Sequence, residues 1–356
     1  MKDIYKSTSN SMKRKNISRR NFIRKTALTT GIASVAPLGL ANNLSFSEQT
    51  GRKSLHEVWI AGISQMGLRV KTPELMVERI FEILKNVVEY KPDFVCLPEA
   101  FPFEYVETRL TFPERVEVSN KVLLQFSEFA KLYNCYTICP VFTSSEGRIY
   151  NSAVVFNRTG KKIGQYNKIH ETVGYVRNGI TCGAMFQPAI QTEFGPIGIQ
   201  ICYDINWEDS WKMLRDQGVK IIFWASAFDG GQQINMKALQ NKCIVASSTN
   251  KNVSKVCDMD GNTIAKTGIW EPNFYCGKLN MEKVFLPTYD YLRECRDIRR
   301  KYGRKVRITC FHEEEWTIIE SVSQDVLIND IIKEFDLKSH VDGLREAEAI
   351  QSESRV

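Results

Sequence analysis

Three side chains able to perform acyl transfer stand at the ends of three strand-like runs. Pro196-Ile-Gly-Ile-Gln-Ile-Cys-Tyr203 carries Cys202, a thiol nucleophile. Phe94-Val-Cys-Leu-Pro98 delivers Glu99, a carboxylate base, and Lys161-Lys-Ile-Gly-Gln-Tyr-Asn167 delivers Lys168, a fixed cation. Strand carboxyl ends are where α/β proteins bind ligands. In such a trio Glu99 takes the proton from Cys202 and the thiolate attacks a carbonyl or nitrile carbon. Lys168 then stabilises the oxyanion that develops. The helix-like stretch after Cys202 is expected to lower the thiol pKa through its amino end. A Cys202–His170 pair is an open rival, but it leaves Glu99 and Lys168 without roles. Singly, Glu99 reads equally as a turn cap and Lys168 as a solvated hairpin charge.

The elements that must hold these groups alternate. A strand over His56–Ile63 precedes a helix over Thr72–Tyr90, opened by Thr72 as cap and Pro73 in the first turn. The pattern then predicts a helix over Asn120–Tyr133 and strands over Tyr136–Val141 and Arg148–Phe156. After Cys202 come a helix over Glu208–Gln217 closed by Gly218, a strand over Lys220–Ala225 and a helix over Gln232–Asn241. Strands over Cys243–Thr249, Ser254–Gly261 and Asn273–Asn280 follow. Strands and helices alternate with hairpins interleaved, which is the pattern of an α/β layered domain. Residues 282–356 form a C-terminal extension. It has a charged stretch, Tyr289–Lys305, two short strands, Val306–Cys310 and Trp316–Glu320, and helices over Ile328–Phe335 and Val341–Ala349. Two readings of it are open: a clasp on a partner subunit or a cap on its own chain.

The formal charge of +7 is a property of the leader. Residues 1–41 hold five Lys and four Arg against Asp3, a net +8, which leaves −1 for residues 42–356. No nucleic-acid-binding surface is expected. Ser18-Arg-Arg-Asn-Phe-Ile-Arg-Lys25, the mildly apolar Thr26–Leu40 and the small residues of Gly39-Leu-Ala41 resemble a twin-arginine signal. That predicts a signal over 1–41, a polar linker over 42–56, and export to the periplasm by the twin-arginine machinery, with retention on an uncleaved signal left open. Ten cysteines in an exported chain suggest disulfides, but several lie in apolar runs where free Cys acts as a small hydrophobe. Cys135 and Cys139 are the leading pair if one exists. Every Cys other than Cys202 is otherwise expected to be buried and inert. The four His and the spacing of Cys give no metal motif and no cofactor fingerprint, and His312 beside Glu313–Glu315 reads as surface charge.

Taken in order, Leu97-Pro-Glu99, Tyr150-Asn-Ser-Ala-Val-Val-Phe156 with Thr159-Gly160, Tyr166-Asn-Lys-Ile-His170 and Gly198-Ile-Gln-Ile-Cys-Tyr-Asp204 resemble the nitrilase, or carbon–nitrogen hydrolase, superfamily. Trp224-Ala-Ser-Ala227, Lys237-Ala-Leu-Gln-Asn241 and Asp258-Met-Asp-Gly261 continue it, over about residues 57–281. The resemblance implies a four-layer α-β-β-α sandwich, dimerised or further assembled through the helical layer that includes the helix after the nucleophile. It implies Glu99 as general base, Lys168 as oxyanion stabiliser, Cys202 as nucleophile and the backbone amide of Tyr203 as a second oxyanion donor. Hydrolysis of a small amide is the expected activity, with N-carbamoyl amides and nitriles as alternatives. A non-catalytic exported binding protein on the same fold is the rival from another class. Many relatives carry a second glutamate shortly after the lysine. Here Glu171 is the nearby carboxylate, and it stands earlier; it either substitutes or is merely exposed. Gly179–Pro188 lacks the usual acidic pattern, and Glu208 stands where a proline commonly follows. Phe103, Tyr105, Tyr175 and Phe228 either line the substrate pocket or belong to the core.

Overall fold

Apolar residues alternate along the strands, and that alternation builds the layers. The computed structural model describes residues 57–355; the signal-like segment and linker lie outside the described residues. In chain order the first strands are β1 (Glu57–Ile63), β2 (Phe94–Cys96), β3 (Tyr136–Ser145), β4 (Arg148–Phe156) and β5 (Lys162–Asn167). Next come β6 (Ile190–Thr192), β7 (Gly195–Ile201), β8 (Ile221–Ser226), β9 (Ile244–Thr249), β10 (Lys255–Cys257), β11 (Thr263–Lys266) and β12 (Phe274–Asn280). The C-terminal strands are β13 (Lys283–Pro287), β14 (Val306–Phe311) and β15 (Trp316–Ser321). The helices are α1 (Pro73–Val87), α2 (Phe112–Tyr133), α3 (Val173–Arg177), α4 (Asp209–Asp216), α5 (Gln232–Asn241), α6 (Leu292–Tyr302), α7 (Ile328–Glu334) and α8 (His340–Ser354).

Two six-stranded sheets have the orders β12-β1-β2-β3-β4-β5 and β11-β10-β9-β8-β7-β6. In the first, β1, β2 and β3 are mutually parallel; in the second, β7, β8 and β9 are. Val58, Ile60, Phe94, Cys96 and Ile138 point from the first sheet into one core with Ile199, Ile201, Phe223 and Ala246 from the second. The residues between them face the other way. Ala61, Ile63 and Val95 pack under α1 and α2, and Ile222, Trp224 and Val245 pack under α4 and α5. Period-two alternation therefore places one apolar face inside and one beneath helices. The result is the expected α-β-β-α sandwich.

Polar bonds also join the sheets near their active-site ends. The Ser248 hydroxyl donates toward the carbonyls of Ile63 (2.7 Å) and Cys96 (2.9 Å) and accepts from the Ile63 amide (3.0 Å). At Gly62 a Cβ would lie 2.5 Å from the Tyr275 ring and 2.6 Å from the Ser247 carbonyl, so only glycine allows this approach.

Several elements differ from expectation. α2 begins at Phe112, where Thr111 and Glu114 form a capping box, eight residues before the predicted start. Only Lys255–Cys257 of the run to Gly261 is strand, because Asp258–Gly261 turns the chain into β11. The charged stretch is the helix α6, which buries Ile298 alone. The strands β13, β14 and β15 form a third sheet whose core joins Val284, Leu286 and Ile319 with Ile328 and Ile331. This extension reaches back to its own chain: Arg345 donates to the Arg215 carbonyl, and Lys283 pairs with Asp258. All ten cysteines are free, and Cys182 and Cys310 are exposed, not buried. Cys310 lies on β14, an edge strand of the small sheet whose outer face is open to solvent. Among the described residues no helix is long and apolar enough to cross a membrane.

Candidate active site

β2 ends at Cys96, and the chain turns through Leu97 and Pro98 to Glu99. Ala100, with φ +46°, bends it away from the strand direction. β5 ends one residue before Lys168, and β7 ends one residue before Cys202. Two of the groups thus leave one sheet and the third leaves the other. Glu99 and Lys168 are nearly fully buried. The Glu99 Oε1 accepts from Lys168 Nζ (2.7 Å) and Asn151 Nδ2 (2.8 Å), and its Oε2 accepts from the Ala227 amide (3.0 Å). Asn250 Nδ2 holds the Glu99 carbonyl at 3.0 Å. The carboxylate is fixed from three sides, with a cation as one of them.

Burial works against the Lys168 ammonium, but the Glu99 charge beside it, with Glu171 adding to it, outweighs that, and its pKa is raised. Lys168 therefore stays protonated. Cys202 contradicts the expected activated thiol. Burial first and the Glu99 charge second push its pKa up to about 12, against smaller lowering effects of Lys168, the Ala227 amide and the Ser226 hydroxyl. The reason is local. The segment after Cys202 is a five-residue 3-10 turn, Cys202–Asn206, and Asp204 already occupies the nearby amides. Asp204 accepts from the Ile201 amide (2.9 Å), the His170 amide (2.8 Å) and the Tyr166 hydroxyl (2.8 Å). Cys202 rests as a thiol and needs a base in the reaction itself.

Cys202 adopts φ +46°, a conformation that costs a residue with a Cβ about 1 kcal/mol or more. Its carbonyl accepts from the Trp224 indole at 3.1 Å, and the Trp211 indole donates to the Asp204 carbonyl at 3.2 Å. The Tyr203 amide is the second of this turn, where amides lack partners within the turn. His170 is committed elsewhere. Its Nδ1 lies 3.2 Å from Asp204, its ring stacks on Trp207 at 4.3 Å, and it makes no hydrogen bond to Cys202. The Cys–His pairing is not formed.

Glu171 is buried, which removes the exposed reading. Its carboxylate lies 3.6 Å from Lys168 Nζ, and both of its oxygens lack a hydrogen-bond partner. Burial pushes its pKa up to about 7, against the pull of Lys168. Phe103, Tyr105 and Tyr175 line a cleft of about 550 Å³ together with Glu104, Arg109 and Arg115. Tyr175 is raised to about 12 by burial, with Glu99 and Glu104 adding to it. Phe228 lies outside that cleft. It packs edge-on against Trp224, directly after the Ala227 amide that holds Glu99. Asn250 and Glu104 carried no signal in the sequence. Asn151 and Asp204 stood inside the quoted motifs without assigned roles. Among the described residues no group of side chains could hold a metal ion.

A carbon–nitrogen hydrolase family model matches residues 60–284. A probable hydrolase of Bacillus subtilis, YhcX, is 31% identical over 217 residues, covering 54% of this chain and 42% of that protein. The deaminated glutathione amidase of Synechocystis is 25% identical over 211 residues, covering 52% of this chain and 75% of that one. The chain thus spans less than half the length of the Bacillus protein and three quarters of the length of the Synechocystis one. In fold it is similar to the amidase of Nesterenkonia sp., solved as a glutamate-to-glutamine variant with the acetamide moiety of fluoroacetamide added covalently at its active-site cysteine. That likeness has a TM-score of 0.57 at 15% identity, covering 70% of this chain and 98% of the other.

Proposed function

This chain belongs to the carbon–nitrogen hydrolase family, and from that premise we propose that it hydrolyses a small non-peptide amide through a thioester on Cys202. The observation that supports this reading best is the buried ion pair of Glu99 and Lys168, 2.7 Å apart, whose two charges both act on the buried Cys202 thiol. Glu99 removes the thiol proton as Cys202 Sγ bonds to the carbonyl carbon. The carbonyl π electrons move to oxygen, and Lys168 and the Tyr203 amide hold that oxyanion. Collapse breaks the C–N bond, and Glu99 returns its proton to the departing amine. Glu99 then takes a proton from water, the hydroxide attacks the thioester, and the carboxylic acid leaves as the thiolate recovers the proton. Lys168 stays charged throughout.

Glu171 fits a positioning role: two buried acceptor oxygens without a hydrogen-bond partner, one of them 3.6 Å from the Lys168 ammonium, suit an amide N–H of the substrate. Phe103 and Tyr175 supply apolar wall, and Glu104 offers a polar end to the cleft. The leader supports export by the twin-arginine route, and the exposed Tyr203 and Trp207 beside α4 suit a homodimer face.

Ammonia release from a panel of amides, N-carbamoyl amino acids and nitriles, with Cys202→Ala as control, tests the reaction. Release from an amide that disappears in the control, with an acyl mass on Cys202, is the expected result. Release from a carbamoyl compound or nitrile alone moves the substrate class. Folded protein with no acyl adduct from any member points to a binding protein.

A further inference from the structure

A second cavity, largely apolar with basic side chains in its wall, lies at the opposite end of the parallel strands from Cys202. It occupies about 260 Å³ between the starts of β8 and β9 on one side and the C-terminal extension on the other. β8 and β9 run parallel to β7, which delivers Cys202 at its far end. Six residues of strand separate the two ends by about 20 Å.

Five basic side chains line the cavity, against Asp342. Three of the five have partners. Lys283 pairs with Asp258; Arg345 bonds Asp342 at 3.0 Å; and Arg215 lies 3.6 Å from Asp216. Asp342 is also bound by the Ser339 hydroxyl, at 2.6 Å. Lys220 and Lys242 have no carboxylate partner among the described residues. Lys220 is exposed, and water hydrates its charge. Lys242 is not in that position: it is half-buried, and its Nζ lies 3.6 Å from the centre of the Trp316 ring and 4.2 Å from that of Phe285. Cation–π contact offsets part of the lost hydration but supplies no opposite charge.

The same two rings carry a second unsatisfied group. His340 packs edge-on against Phe285 and Trp316, and its Nδ1 is buried with no hydrogen-bond partner. It is the first residue of α8, a helix of 15 residues whose amino end adds positive potential. A cation without a counter-ion therefore stands in the cavity wall, and an unpaired imidazole nitrogen lies against the same two rings. The remaining wall is apolar: Val219, Val284, Ile328 and Ile332 line it. One charged end and one oily body define the complementary ligand, and the volume suits a small molecule rather than a nucleotide.

We propose that this cavity binds a small aliphatic carboxylate, with its anionic end at Lys242 and its chain against Val284, Ile328 and Ile332. The site stands independently of the reaction assigned to Cys202. Inorganic phosphate would answer the charge but leave the apolar wall empty; an uncharged amide of the same length would do the reverse.

The test reads Lys242 directly in the full chain carrying Cys202→Ala, so that no turnover intervenes. Burial lowers the Lys242 pKa to about 8, which makes it acetylatable by acetic anhydride near neutral pH. A carboxylate at its side raises an ammonium pKa by about one unit or more, so the reactive neutral fraction at pH 7 falls about tenfold. Peptide mass spectrometry is expected to show millimolar hexanoate slowing acetylation of Lys242 by that factor, in a saturable way, while exposed Lys251 is unchanged. Hexanamide and phosphate are each expected to have a far smaller effect. Acetylation unchanged by hexanoate, or slowed equally by hexanamide or by phosphate, overturns the assignment. Hexanoate is also expected to raise the melting temperature, and Lys242→Gln to abolish that rise. A full rise in the folded variant would place the acid elsewhere and overturn the site. If the variant does not fold, the labelling of the unaltered lysine decides alone.

Discussion

At the scale of single residues, the contrast between Cys202 and its surroundings sets the chemistry. A thiol raised to about 12 is almost wholly protonated at neutral pH. Iodoacetamide at pH 7 is therefore expected to modify exposed Cys182 well before Cys202, and peptide mapping of a time course checks this. Faster labelling at Cys202 would mean a preformed thiolate and remove the need for Glu99 as base. Loss of that base in Glu99→Gln is expected to lower kcat by about 10²–10⁴, measured on whichever substrate the panel identifies. Glu171 gives a pH prediction. Its folded pKa of about 7 lies above the ordinary glutamate value, so the folded state binds its proton more tightly than the unfolded chain. Its contribution to stability is fully present below the unfolded pKa and is lost as pH rises through about 7. Glu171→Gln is expected to melt above the unaltered chain at pH 8 and level with it at pH 4, by calorimetry. An equal difference at both values would show that Glu171 does not titrate there. The chemistry-bearing residues were readable because strand ends announce themselves by an apolar run that stops. Their supports were not. Asn250 bonds the Glu99 carbonyl from 151 positions away, and nothing local in Asn250 signals that.

At the scale of elements, legibility followed alternation. β4 and α5 fall on the predicted bounds because turn residues flank a clean period. α6 hid because it buries one side chain, Ile298, and presents charge elsewhere. The start of α2 hid for a different reason: its signal is a cap, Thr111 with Glu114, ahead of the apolar period. That cap is checkable. Thr111→Ala is expected to cost about 1 kcal/mol, read as a lower urea midpoint at unchanged slope. The turn after Cys202 is the instructive miss. A strand followed by polar and aromatic residues looks like a strand–helix junction, yet Asp204 folds back onto the Ile201 and His170 amides and tightens it into a 3-10 turn. A side-chain bond across 34 residues decides the shape of the nucleophile's loop.

At the scale of the molecule, the alternation of strands and helices read as an α/β layered domain, the four-layer sandwich followed only from the family resemblance, and the way the sheets meet was not legible. Their junction depends on Ser248, which bonds β1 and the end of β2 from β9. Ser248→Ala leaves buried groups unpaired, a loss of about 1–3 kcal/mol, and its melting temperature checks this. Because the same bonds tie the end of β2, which delivers Glu99, to the sheet that carries Cys202, kcat is expected to fall further than in Thr111→Ala of matched stability. Equal kcat in the two variants would uncouple the junction from the chemistry.

Glu99 and Lys168 hang from one sheet and Cys202 from the other. The gap the proton must cross is therefore not a property of any loop; it is the clearance between two plates. Turnover then serves as a strain gauge for the sandwich, sensitive to slippage too small to melt a strand. On heating, activity would fade at a temperature where the circular dichroism of every helix and strand is still intact.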